Sequence, residues 1–367
     1  MEGDAETAEK SFLKINSNPA TIDPTDLDLI RARKKPNAIA TRALMRAGKD
    51  YFAKLPKAKA IDVLAKEVHG IIFGQILELT SQSPDVPRAG QPYSNEAFKM
   101  VLDMVNLFND VSPAMWQSTK NTGKTTRLPD DTSGDVALKF LKRVKDIGTL
   151  VNDNGERNSG SLGLDQAVYS YGVTGKFHPG AFLASLRLAA ELQKGNRLRQ
   201  FTKVRKDFEE FLVRHKTFIN QIGHSKGSRT RPVEAMLQMH RIILECLYGG
   251  IRDDKKIVRK LKRHQALEEL KDVTNAPKDN TREKRFSKQV QEAGIIRSVL
   301  DNRERCKICG ARLPPSCRSK DHKQRKQDQG TGTLANLQFT HPYCNTGYKE
   351  HKVAKAKKAT AKVRQIS

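Results

Sequence analysis

Cys306-Lys307-Ile308-Cys309, then Ser319-Lys320-Asp321-His322, then Asn336-Leu337-Gln338, and finally His341-Pro342-Tyr343-Cys344-Asn345 carry most of what this chain says about itself. A C-x2-C pair and an H-x2-C pair lie about thirty residues apart. Each is a knuckle that presents two ligands to one point, so the two can close a tetrahedron around Zn²⁺. The ligands expected are Cys306, Cys309, His341 and Cys344. Cys317 lies between the pairs after Pro314-Pro315-Ser316 and is the alternative to His341 as fourth ligand. Five cysteines in 367 residues make no disulfide framework, and their clustering points to metal.

Between the knuckles sits a second group. Asp321 and His322 are adjacent, so at the end of a strand their side chains diverge, one free to hold a metal and the other to face a water. Asn345 follows the last knuckle and opens an expected basic helix over 345–358, where its amide oxygen can complete a metal site. Leu334 to Thr340 has the length and pattern of a short strand.

These elements resemble the HNH, or ββα-metal, endonucleases: C-x2-C, D-H, a Gly-containing loop (Gly330-Thr331-Gly332), Asn336, and a second knuckle followed by Asn345. The resemblance implies a β-hairpin with the Asp-His pair at the end of its first strand, a second strand beginning near Asn336, and a helix starting near Asn345. It implies His322 as general base toward an attacking water. Asp321 and Asn345 would be ligands of a catalytic Mg²⁺ or Mn²⁺, and Asn336 would fix the loop and the orientation of His322. Hydrolysis of a phosphodiester accumulates negative charge on the phosphate and the leaving oxygen, which such an ion can stabilise. Three positions depart from the family pattern. His341 opens the second knuckle in place of the commoner Cys, Thr331 separates the two glycines, and Lys323-Gln324-Arg325-Lys326 follows the Asp-His pair where an apolar residue and Pro are usual. Arg325, Lys349 and Lys352 are the expected phosphate contacts.

Upstream, apolar residues recur at three-to-four spacing over 60–80, 98–108, 136–148, 180–193, 207–222, 233–248 and 254–271, each the mark of an amphipathic helix. Residues 80–92 and 117–135 are rich in breakers and read as loops. The fold class expected is therefore a mainly α N-terminal region followed by a small α+β, zinc-containing ββα-metal domain. The divisions expected are an extended and helical segment over 1–55, a helical domain over 56–300 and the zinc-containing module over 301–367. Phe12-Leu13-Lys14-Ile15-Asn16, the segment from Ser161 to Tyr169 and the segment from Gly175 to Leu183 resemble Gmr-type restriction and phage-defence proteins, which join a ParB-like nucleotide-dependent region to a C-terminal HNH nuclease. Their D-G-Q-Q-R-like motif is absent here, which points to a protein partner or a separate nucleotide-dependent subunit.

Charge names the polyanion. The chain carries 67 Lys+Arg against 41 Asp+Glu, a formal net charge of +26. Residues 251–367 hold 30 of those cations against 13 acidic residues. DNA is the expected partner and a cytoplasmic location the expected setting, since no apolar run approaches the roughly 20 residues needed to cross a bilayer. The residues leave open an RNA substrate, and also a zinc-knuckle binding module whose Asp-His pair is structural. Thr122-Gly123-Lys124-Thr125 lacks the preceding glycine and strand of a phosphate loop. His178, His215, His224 and His240 receive no site.

Overall fold

A computed structural model of the chain describes residues 32–45, 50–73, 95–116, 127–152, 160–225, 231–271 and 285–351. They are mostly helical, in two compact units: residues 1–66 with 87–142, and residues 67–86 with 143–367. Among them no helix is long and apolar enough to cross a membrane.

In the first unit, α1 (Pro36–Leu44) packs on α4 (Asn95–Phe108); the unit also holds α2 (Asp50–Ala53), α5 (Pro113–Trp116) and the first part of α3 (Ala58–Phe73), whose residues from 67 on belong to the second unit. Pro36 opens α1, where its missing N–H costs nothing. Asn37 donates to Asn106 Oδ1 at 2.9 Å across the α1–α4 contact. α6 (Asp135–Val151) is preceded by Asp131, whose two carboxylate oxygens accept from the backbone N–H of Gly134 and of Ala137 at 2.7 Å each. A carboxylate there satisfies donors that the first turn leaves open.

The second unit is organised on α11 (Arg231–Tyr248), which packs on α8 (Pro179–Lys194), α9 (Leu198–Arg214), α10 (Thr217–Ser225) and α12 (Asp254–Lys262). Its buried stripe of Met236, Leu237, Ile243, Leu244 and Leu247 follows the helical period. α7 (Gln166–Tyr169) is a single buried turn capped by Asp165, and it touches α8, α9 and α13 (Lys288–Asn302).

Two helical expectations come out differently. The period over 207–222 belongs to two helices, because the chain breaks at His215 and Lys216. Lys216 is buried and its ammonium reaches the carbonyls of Ala167, Val168 and Tyr171 at 2.6, 3.2 and 2.8 Å. It ties off the end of α7 in place of continuing α9. Likewise α12 stops at Lys262, and His264 caps a short 3-10 turn, Gln265–Leu267, through its ring nitrogen. The loop expected over 80–92, most of that over 117–135 and the segment around Phe12 lie outside the described residues.

The C-terminal part carries a two-stranded antiparallel sheet, β1 (Ser319–His322) with β2 (Leu337–Thr340), in the register Ser319 to Thr340 through His322 to Leu337. A helical segment over 342–351 follows, whose middle, α14 (Cys344–Lys349), has π-helical bonding.

Candidate metal centre and the adjoining Asp-His pair

Two backbone knuckles build the cluster. In the first, Gly310 N–H returns to Cys306 C=O and Cys306 N–H to Ala311 C=O, both at 2.9 Å, so Cys306 and Cys309 face one point. In the second, residues 341–344 enter the π-helical turn, and His341 N–H reaches Cys306 Sγ at 3.4 Å. The ligand atoms of Cys306, Cys309, His341 and Cys344 all lie within 4.8 Å of one another. His341 Nδ1 is 3.4 Å from Cys309 Sγ and 3.8 Å from Cys344 Sγ. A tetrahedron with Zn–S and Zn–N bonds of about 2.3 and 2.0 Å has S···N edges of about 3.5 Å, so the cluster is sized for such an ion. The other ring nitrogen, Nε2, bonds the Arg312 carbonyl at 2.9 Å, which fixes the ring with Nδ1 toward the sulfurs.

The thiols are crowded enough to share one charge. Hydrogen bonds from Cys309 and Cys344 hold the Cys306 thiol far below its ordinary range. The Cys306 thiolate in turn pushes Cys309 up to about 12 and Cys344 well above its usual value, with burial adding to both. A bound divalent cation is the natural counter-charge for three thiolates. Cys317 is buried outside the group of four, so the fourth position belongs to His341.

The cluster is fastened to the helical core. Gly163 has φ +56°, and a Cβ there would lie 2.8 Å from Cys317 Cβ and 3.1 Å from the His341 ring, so a side chain is excluded twice over. Ser161 C=O accepts from Tyr343 N–H at 2.9 Å. Arg312 N–H donates to Glu209 Oε2 at 2.9 Å, and Glu209 Oε1 accepts from Arg205 Nε at 2.7 Å and from the Tyr169 hydroxyl at 3.1 Å. Arg205 also donates to the carbonyls of Leu162 and Gly163. Burial alone would lower the Arg205 guanidinium; the Glu209 carboxylate more than reverses this and raises it above its ordinary value. Asp165 pairs with Arg303 at 2.9 Å while capping α7. The Ser161–Tyr169 segment is thus the wall behind the cluster.

Asp321 and His322 stand at the end of β1. Asp321 is buried, with Oδ1 accepting from Lys349 Nζ and Oδ2 from Gln338 Nε2, both at 2.7 Å. Lys349 also donates to the His322 carbonyl. Asn345 donates through Nδ2 to Ser319 Oγ and Lys320 C=O at 3.0 and 3.3 Å. Asn336 clamps the loop after β1: Oδ1 accepts from Gln324 N–H at 2.7 Å, and Nδ2 donates to Gln324 C=O and Thr331 C=O at 3.0 and 2.7 Å. Gly330 lies so close beneath that a Cβ would meet Gln324 O at 1.9 Å.

The residues expected at phosphate are placed otherwise. Lys349 is the partner of Asp321, and Arg325 pairs with Glu350 at 2.6 Å and with Gln327. Lys352 lies outside the described residues. Each oxygen of Asp321 carries one hydrogen bond, so an ion on Asp321 and Asn345 would share that carboxylate with the Lys349 ammonium. Sequence reasoning passed over Arg205, Glu209, Arg312, Gln338 and Gly163. Arg205 and Glu209 did leave a sign, an i, i+4 charged pair on the apolar stripe of Phe201, Phe208 and Leu212. Compared with protein-family models, with curated proteins and with solved structures, the chain matches none.

Proposed function

We propose that this chain is a metal-dependent endonuclease that hydrolyses DNA phosphodiester bonds, its Cys3His cluster holding a structural zinc. The reading rests on one juxtaposition. Asp321-His322 ends β1 beside the turn that runs from the cluster ligand Cys344 through Asn345 to Lys349, while Asn336 holds the loop that flanks His322. In this reading His322 takes the proton of the attacking water. Asp321 and Asn345 are the residues that would hold Mg²⁺ or Mn²⁺, and such an ion supplies charge stabilisation at the phosphate. Lys349 neutralises the buried Asp321 carboxylate at rest. A setting in restriction or phage defence rests on the resemblance of the 12–16, 161–169 and 175–183 segments alone.

A second reading has an observation of its own. Both carboxylate oxygens of Asp321 are engaged by Lys349 and Gln338, which suits a zinc module that binds nucleic acid without cutting it. Incubation of supercoiled plasmid, and of a structured RNA, with zinc-loaded protein and added Mg²⁺ or Mn²⁺ separates the two. Nicking that is lost in His322→Ala at unchanged zinc content supports the nuclease. Retained DNA binding with no cleavage under either ion supports the binding module, and cleavage of RNA alone redirects the substrate.

A further inference from the structure

We infer that the outer face of α12, formed by Lys255, Lys256, Arg259 and Arg263, is a docking surface for the phosphate backbone of duplex nucleic acid, separate from the Asp-His module. α12 buries Ile257, Val258 and Leu261 and leaves Lys255, Lys256, Arg259 and Lys260 exposed, with Arg263, also exposed, as its C-cap. With about 100° per residue, Lys255, Arg259, Arg263 and Lys256 fall at about 0°, 40°, 80° and 100°, a slanting row within one arc opposite the apolar side. The row is about 12 Å long at 1.5 Å per residue, enough to face three to four phosphates of one strand at about 3.4 Å of axis each.

Among the described residues, exposed cations without a carboxylate also occur at Lys203, Lys206, Lys307 and Lys320, and what marks α12 is that four of them share one short helical face. Elsewhere in the same unit, Arg187, Arg214, Arg241, Arg252, Arg305 and Arg318 each meet a carboxylate. Among the described residues none of the four α12 cations does, and Arg259 has only the Lys255 carbonyl of its own helix, at 3.4 Å. The nearby acids are committed elsewhere: Asp253 caps the helix, and Asp254 is held bidentately by Arg214 at 2.8 and 2.9 Å and touched by His215 at 3.0 Å. That clamp fixes α12 to the C-terminal end of α9, whose Arg205 and Glu209 brace the metal cluster about two turns earlier. The cations are carried on a helix that also packs against α11, while their own exposed side chains remain to be ordered on binding. Phosphate contacts of this kind position a duplex without reading its sequence.

This surface extends the DNA reading to a second site but does not depend on cleavage. The test is anisotropy with a 30-base-pair duplex over a salt series, in the full chain carrying His322→Ala, with no divalent ion added. The quadruple variant K255E/K256E/R259E/R263E should bind at least tenfold more weakly, and the slope of log affinity on log salt should shrink by about 0.9 for each phosphate that the variant no longer neutralises. A control variant, K54E/K57E/K59E/K139E, alters the same net charge on the other unit and should bind within twofold of its parent. Circular dichroism and thermal melting establish that both variants fold. Equal loss in the control, or an unchanged slope in a folded α12 variant, overturns the proposal. So does a variant that loses anionic vesicles and keeps DNA. Loss of plasmid nicking in His322→Ala is read separately, so the two readings fail independently.

Discussion

Cys309 and Cys317 are both cysteines of the same segment, yet the geometry gives them different fates. Cys309→Ser removes one of the four side chains that could hold zinc, so the zinc measured per folded chain should fall from one to well under one half, with stability lost by several kcal/mol. Cys317→Ser should keep its zinc, and elemental analysis of the two purified variants checks both outcomes. Two histidines make a pH prediction. Burial lowers His178 to about 4 and His240 to about 3. Their folded values lie below the unfolded one of about 6.5, so the unfolded chain binds more protons between about pH 6.5 and 3 to 4. Stability falls as pH falls through that window and is unaffected above it, by about 2 kcal/mol per histidine at pH 5. Urea midpoints at pH 7.5 and pH 5 should converge in His240→Leu relative to the parent. An unchanged acid loss in that variant would mean the buried imidazole is not its source.

Among the elements, α9 and the small sheet depend on each other. Two paired strands of four residues are at best marginal alone. β1 and β2 persist because the knuckles close their ends and α9 braces Arg312. The Arg205–Glu209 pair is almost wholly buried. Breaking it with Glu209→Ala leaves a guanidinium without its carboxylate and should cost about 3–5 kcal/mol, read as a drop in the chemical denaturation midpoint. A double change to Arg205→Met with Glu209→Leu should recover only part of that loss, because it removes the unpaired buried guanidinium but orphans the Arg312 N–H, the Tyr169 hydroxyl and the Leu162 and Gly163 carbonyls. The amphipathic period made most of these helices legible, since burial on one face imposes it. The break at His215 and Lys216 was not legible. Its cause is a buried ammonium reaching back to Ala167, Val168 and Tyr171, residues about fifty positions earlier. Burial lowers Lys216 to about 7, yet its three carbonyl acceptors call for three N–H donors, which only the ammonium form provides.

For the second unit entire, the consequence is coupling between the Cys3His cluster and the helical core. The Ser161–Tyr169 wall touches the cluster on one side, and its Leu162 and Leu164 amides bond the carbonyls of Leu150 and Val151 in α6 at 2.7 and 3.0 Å. Removing zinc should therefore raise hydrogen exchange at Leu162 and Leu164 as well as at the knuckles, while amides of the central α11 stay protected. Exchange confined to 306–345 would show that the wall stands without the metal.

The cluster ligands, the Asp-His pair, the hairpin around it and the basic balance are properties of short spacings and counts. They could be read from the chain because knuckles, strands and ion ligation obey local geometry. The partner of each charged group could not. Lys349 and Arg325 looked alike as phosphate contacts until folding set one against Asp321 and the other against Glu350. Arg205 and Glu209 went unremarked in the sequence, and their role comes from Tyr169, Leu162 and Arg312 converging on them. Which charges are spent inside the protein and which face outward is decided by contacts between distant segments, and no local pattern encodes those distances.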